Sequence, residues 1–234
     1  MPADDFVFPP APQASLAVQG TDARFPIRRI FCVGRNYEAH AREMGNDPTR
    51  EAPFFFTKPA DAALDTPCTI PYPPQTEDLH HEIELVIAIG KGGRNIAEED
   101  VMGHVWGASV GIDLTRRDLQ AEAKKAGRPW DWGKAFDNSA PIAPLKPIAD
   151  VPSVEQGRIW LAVNGTVRQD ADLADLIWSV REHVAILSHS MSLAPGDIIM
   201  TGTPAGVAAL VEGDVVTGGV DGIATLEVKI GPRA

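Results

Sequence analysis

The run HHEIELVIAIG, residues 80–90, sets two carboxylates into one of the most apolar stretches of the chain. Its length and its Ile and Val content predict a strand. Side chains along a strand alternate between faces, so Glu82 and Glu84 point the same way, beside Ile83, Leu85, Val86, Ile87 and Ile89. Two like charges against such a run call for a cation. A second β-prone run, WGASVGID, ends at Asp113, and these carboxylates, with no cysteine among them, make an all-oxygen donor set. Such a set favours a hard divalent ion, Mg²⁺ first with Mn²⁺ or Ca²⁺ next, over Zn²⁺. The same Glu-x-Glu spacing suits an edge strand with outward glutamates, and both readings stand at this level.

At 234 residues the chain is long enough to bury a substantial core without disulfides. Cys32 and Cys68 have neither metal-site nor redox spacing, which points to a reducing compartment and inert thiols. A formal charge of −11 argues against a nucleic-acid partner, because neutralising phosphates takes clustered Lys and Arg. The start, MPADDFVFPPAPQ, lacks the basic-then-apolar order of a signal peptide, and no run approaches a membrane span. A cytoplasmic protein without membrane contact is expected. An anionic substrate would be repelled at long range and needs local cations. Arg35, Arg42 and Lys58 are candidates for a second carboxylate, whereas Lys124 and Lys125 read as a solvated helix face.

Residues 1–26 are rich in Pro and Ala and read as an N-terminal arm with a strand at SLAVQG; residues 27–234 read as a single domain. IRRIFCVG and PFFFTKP predict strands. Asn36 is placed as the N-cap of a helix over YEAHAREM that ends at Gly45. Thr115 and Asp118 have the spacing of a capping box for RRDLQAEAKKA, closed by Gly127. Asn164-Gly165 is a type I′ hairpin signal. Ile177, Val180, Val184, Leu187 and Met191 recur at helical spacing. Many short strands with a few helices, and no regular βαβ alternation, predict an α+β class.

His40 and Glu43 lie three apart, on one face of the predicted helix. A carboxylate beside an imidazole fixes its tautomer and raises its basicity, as for an oriented general base, and the spacing equally suits a routine surface pair. Lys134 follows Trp130 and Trp132, which would hold its ammonium in a partly dry site or simply pack beside a surface lysine. TGTPAG, residues 201–206, offers hydroxyls and backbone donors in a turn. His80 and His81 flank the carboxylates as outer partners or as rim residues.

GRNYEAHAREMG, FFFTKPADA, HHEIELVIAIGK, GIDLTRRDLQ, PWDWGKAFDNSAP and GDIIMTGTPAGV follow one another along the chain. With these motifs in this order, the sequence resembles the fumarylacetoacetate hydrolase family over its length after the arm. The resemblance implies a mixed β-roll of that family's C-terminal-domain type, with a few short helices, assembled as a homodimer. It implies a metal at Glu82, Glu84 and Asp113, a His40–Glu43 dyad on a lid, an active-site lysine at Lys134, and substrate contacts from Arg117, Gln120 and Thr203. The implied activity is metal-dependent hydrolysis of a C–C bond in a small anionic 2,4-diketo acid, foremost fumarylpyruvate to fumarate and pyruvate in gentisate catabolism. An acylpyruvase, an oxaloacetate decarboxylase or a dienol isomerase would share that site, and a non-catalytic metal-binding module is the reading outside enzymology.

Overall fold

The computed structural model describes residues 6–43 and 51–233. Its centre is an eight-stranded mixed sheet, ordered Phe54–Lys58, Arg29–Gly34, Asp197–Met200, Ile83–Ile89, Val105–Ile112, Ala140–Ile142, Ala63–Asp65, with Lys146–Pro147 also on Val105–Ile112. Asp197–Met200 runs parallel to Arg29–Gly34, and Ala140–Ile142 parallel to Ala63–Asp65; the other pairings are antiparallel. A five-stranded sheet, ordered Thr166–Asp172, Arg158–Val163, Val215–Val220, Ala224–Arg233, Cys68–Tyr72, supplies a second layer. Together they form a curled mixed β-roll with a few short helices, the α+β architecture the sequence predicts.

The strand Ile83–Ile89 is buried at every residue. Its apolar run is continuous because both faces of the sheet are covered. Ile83, Leu85, Ile87 and Ile89 enter the larger core with Ile159, Leu161, Val216 and Val228 of the five-stranded layer. Val86 and Ala88 enter a second core with Ile30, Cys32, Ile198 and Met200. Within the segment read as an arm, Ser15–Val18 and Thr21–Pro26 pair as a hairpin, and Leu16, Val18 and Phe25 are buried in that second core.

Local signals decide several elements. Asn164 and Gly165 turn the hairpin between Arg158–Val163 and Thr166–Asp172 with φ of 51° and 78°. Gly127 closes the helix Arg117–Ala126 in the left-handed region, at φ 61°. The helix Val180–Ser190 begins at a Ser179–Glu182 capping box. It ends before Met191, which is 42% exposed and so drops out of the expected apolar stripe.

Two predicted caps do other jobs. Asn36 does not cap the helix, which spans Glu38–Glu43; its amide donates to the carbonyls of Trp178 and Thr201, and its oxygen accepts from Trp178 N–H. Met44 and Gly45, placed at the end of that helix, lie outside the described residues. Thr115 does not cap either: its hydroxyl binds the Asp113 carbonyl and Lys134, while Asp118 holds Thr76 and the Glu77 N–H. Burial pushes the Cys32 thiol well up and the Cys68 thiol up to about 11, so both free thiols stay protonated at neutral pH. Among the described residues, no helix is long and apolar enough to cross a membrane.

Candidate active site

Strand alternation places the acids. With Ile83 and Leu85 committed to the larger core, Glu82 and Glu84 take the opposite face. Ile83 pairs with Ile112, and Asp113 N–H donates to the Glu82 carbonyl at 2.8 Å, which brings Asp113 alongside. Glu82, Glu84 and Asp113 are buried, each offering an oxygen within 4.8 Å of the others.

Three cations answer them. Lys134 Nζ lies 2.7 Å from Glu82 and 2.6 Å from Asp113. Arg117 pairs with the other oxygen of Glu82. Lys58 Nζ lies 2.8 Å from Asp113 Oδ1. Burial pushes the Glu82 carboxyl up, but Lys134 and Arg117 outweigh it and hold it well below the usual carboxylate range. Burial works to lower the Lys134 pKa too, yet Asp113 and Glu82 prevail and raise it, so this ammonium is a donor and not a base.

Glu84 is the acid left short. Gly202 N–H donates to it at 2.8 Å, and among the described residues no cation pairs with it. Burial, Asp113 and Glu82 push its pKa well up. Asp113 Oδ1 has the Lys58 ammonium at 2.8 Å but no aligned hydrogen bond. Three buried carboxylates that share one small space, one of them without a cation, fit a hard divalent ion, so the all-oxygen donor set suits Mg²⁺ or Mn²⁺.

His40 lines the same pocket as Glu82, Glu84, Arg117, Gln120, Lys134 and Thr203. Its Nδ1 lies 3.2 Å from Glu43 Oε2, and Glu43 is itself anchored by Gly206 N–H at 3.1 Å. With Nδ1 turned to the carboxylate, Nε2 is the nitrogen available as a base. Arg117 Nη1 donates to Gln120 Oε1 at 2.6 Å, which leaves the Gln120 NH₂ for the pocket. Thr203 Oγ1 accepts from Gln169 Nε2 at 2.8 Å, leaving its hydroxyl hydrogen free to donate.

The structure therefore gathers the sequence-predicted residues around one pocket, with Asp113 behind its acidic wall. It separates others. Lys58, a candidate for a second carboxylate, is buried against Asp113 and the carbonyls of Leu114 and Lys134. Arg42 is exposed and pairs with Glu38 at 2.9 Å. Trp132 is 70% exposed; the aromatic wall is Trp130 stacked edge-on to Phe54, with Phe56 5.1 Å from the Lys134 ammonium. His80 binds Asp78 and receives a weak contact from Arg117.

Sequence reasoning missed Gln169. Fully buried, it accepts from Ile83 N–H, contacts His81 Nδ1, and donates to Thr203 and the Pro204 carbonyl. It ties the start of the Glu-x-Glu strand to the TGTP turn, and its alternating, polar context in the hairpin carried no signal of this.

A family model described as fumarylacetoacetate (FAA) hydrolase C-terminal matches residues 29–231. A fumarylpyruvate hydrolase from Ralstonia sp is 44% identical over 186 residues, 80% of this chain and 96% of that protein. The mitochondrial oxaloacetate tautomerase of Arabidopsis thaliana is 38% identical, covering 88% of this chain and 92% of its own. The crystal structure of fumarylpyruvate hydrolase from Pseudomonas aeruginosa in complex with Mn²⁺ and pyruvate is 50% identical, covers 98% of this chain and 100% of that one, and matches with a TM-score of 0.95.

Proposed function

The chain belongs to the fumarylacetoacetate hydrolase family, and from that membership we propose that it is a metal-dependent hydrolase that cleaves fumarylpyruvate to fumarate and pyruvate. The observation that carries the reading is the meeting of a buried acid triad, whose Glu84 has no cation among the described residues, with a His–Glu pair at one pocket. The triad would hold Mg²⁺ or Mn²⁺, which when bound supplies the Lewis acidity that lets pyruvate depart as a stabilised carbanion.

The chain's own residues carry the rest. His40 Nε2 takes a proton from the attacking water, and Glu43 holds the ring and stabilises the imidazolium. Water adds to the carbonyl distal to the pyruvyl end, and the tetrahedral oxyanion needs donors. Gln120 and Thr203 have donors to spare, and Lys134, whose three N–H bonds go to Glu82, Asp113 and Thr115, adds its positive charge beside them. Collapse breaks the C–C bond, fumarate forms from the acyl half, and the proton held by His40 passes to the methylene carbon of pyruvate. Phe54, Phe56 and Trp130 keep the wall dry, which strengthens each of these contacts.

A second reading rests on the relative named oxaloacetate tautomerase. Tautomerisation moves a proton between carbon and oxygen and uses a base but no attacking water. The test is incubation of purified protein with Mn²⁺ or Mg²⁺ and, in parallel, fumarylpyruvate, acetylpyruvate and oxaloacetate. Equal release of fumarate and pyruvate, abolished by chelation, is expected; enol–keto exchange of oxaloacetate without pyruvate release from any diketo acid would replace the proposal with the second reading.

A further inference from the structure

Two cations in the pocket have no carboxylate within ion-pair distance among the described residues. Arg35 and Lys124 line the same cleft as His40, Glu84 and Thr203, and neither forms an ion pair among the described residues. The other cations of the site are all matched, Arg117 and Lys134 to Glu82 and Lys58 to Asp113. Burial, Arg35 and Arg117 hold Lys124 below the usual lysine range, so the two side chains stand close enough to feel each other.

Arg35 occupies a backbone position that does not suit it. Its φ of 57° lies in the left-handed region, where glycine or asparagine rests more easily than a long side chain. Its guanidinium lies 5.5 Å from the Phe54 ring centroid, which sets it against the aromatic wall of the cleft. Lys124 is placed by helical periodicity. Arg117, Gln120 and Lys124 share one face of the helix Arg117–Ala126, so Lys124 stands about 10 Å along the axis from the arginine that binds Glu82. An extended seven-carbon diacid sets its two carboxyl carbons about 7–8 Å apart. A lysine stem leaning back toward the helix N-terminus covers the difference.

We infer that Arg35 and Lys124 form a second anion subsite that receives the distal carboxylate of a dianionic substrate and sets a preference for diacids over monoacids. The inference rests on the diketo-acid reading above. It also explains how a protein of net charge −11 admits a dianion: the local pair offsets the long-range repulsion at the mouth.

The test separates the subsite from turnover. Two seven-carbon probes, 2-oxoheptanedioate and 2-oxoheptanoate, share the 2-oxo acid head, lack the second ketone and so resist cleavage, and differ in the distal carboxylate alone. Their affinities for the full chain loaded with Mn²⁺ are measured by calorimetry. A charge-assisted contact predicts a diacid preference of about 10–100-fold, collapsing toward one in the Arg35→Gln/Lys124→Met double variant. In turnover, the loss on fumarylpyruvate should exceed the loss on acetylpyruvate by about tenfold or more. If the double variant loses its native circular dichroism, Lys124→Met alone carries the comparison, since its exposed helix position tolerates methionine. A wild-type ratio near one, or a preference that survives substitution, overturns the subsite. A diacid preference without cleavage of any diketo acid upholds the subsite and overturns the hydrolase reading.

Discussion

Lys58 is the residue through which the acid triad can be tested physically. Its ammonium, fully buried, sits 2.8 Å from Asp113 Oδ1, donates to the Leu114 carbonyl at 3.2 Å and also reaches the Lys134 carbonyl. Lys58→Met keeps the length of the side chain and removes the charge and its donors. Asp113 is then left with Lys134 as its remaining ion-pair partner. Removing one partner of a buried pair costs about 3–5 kcal/mol. The Lys134 carbonyl keeps the Ser139 hydroxyl at 3.1 Å, so the further loss is chiefly the Leu114 contact, about 1 kcal/mol. Packing of the thioether offsets about 1 kcal/mol, which leaves about 4 kcal/mol. At about 2–4 °C per kcal/mol for a chain of this size, the metal-free protein should melt about 8–16 °C lower than wild type. A divalent ion restores positive charge beside Asp113, so saturating Mn²⁺ should narrow the gap between the two melting curves. Thermal unfolding followed by circular dichroism, with chelator and with Mn²⁺, measures both. A metal-free shift under about 3 °C, or a gap that Mn²⁺ leaves intact, would refute Lys58 as the counter-ion that positions Asp113.

His40→Ala should lower kcat by about 10²–10⁴ while Mn²⁺ affinity, read by calorimetry, stays near wild type; full activity would remove the dyad from the reaction. Gln169→Leu strips the Ile83 N–H and Thr203 of a partner and should cost about 2–4 kcal/mol in urea unfolding together with a fall in kcat. A stability loss without any change in kcat would confine Gln169 to the fold. Burial lowers the His183 pKa from 6.5 to about 4, so as pH falls the unfolded chain takes up the proton first. The associated stability, about 3 kcal/mol, is complete above about pH 6.5 and is lost as pH drops toward 4. His183→Gln should flatten that slope in unfolding measured from pH 4 to 7, and an unchanged slope would assign it to other groups.

What was legible in the sequence was local. Strand alternation alone put Glu82 and Glu84 on one face, a glycine at φ 61° closed the helix that carries Arg117 and Gln120, and three-residue spacing joined His40 to Glu43. What was not legible depends on partners far along the chain. The sequence presents Lys58 as one more basic residue near a strand end, and only the pairing of Phe54–Lys58 with Arg29–Gly34 carries it 56 positions away to the Leu114 carbonyl. Thr115 and Asn36 have the composition of caps, but short polar side chains serve any nearby unsatisfied group, and the buried sheet junction claimed both. Lys124 looks like its neighbour Lys125 in sequence; the pocket wall tells them apart.

The charge pattern of the pocket connects its stability to its chemistry. With Glu84 ionised, as holding a cation would require, Glu82, Glu84 and Asp113 would carry three negative charges against the three positive ones of Lys58, Lys134 and Arg117. The formal cancellation is uneven, because the cations fall on Glu82 and Asp113 and bypass Glu84. A divalent ion held there would relieve that imbalance and leave the cluster with two positive charges in excess. In the proposed reaction the carboxylate of a 2-oxo acid head would cancel one of them, and the oxyanion formed once water adds to the distal carbonyl would cancel the other. On that proposal, charge balance in the buried cluster would be reached at the tetrahedral stage and not in the substrate complex, the direction in which electrostatic preorganisation favours reaction over mere binding. Arg35 and Lys124 line the same cleft but stand outside this count, so on the inference drawn above they would be free to respond to what the acyl half of the substrate carries.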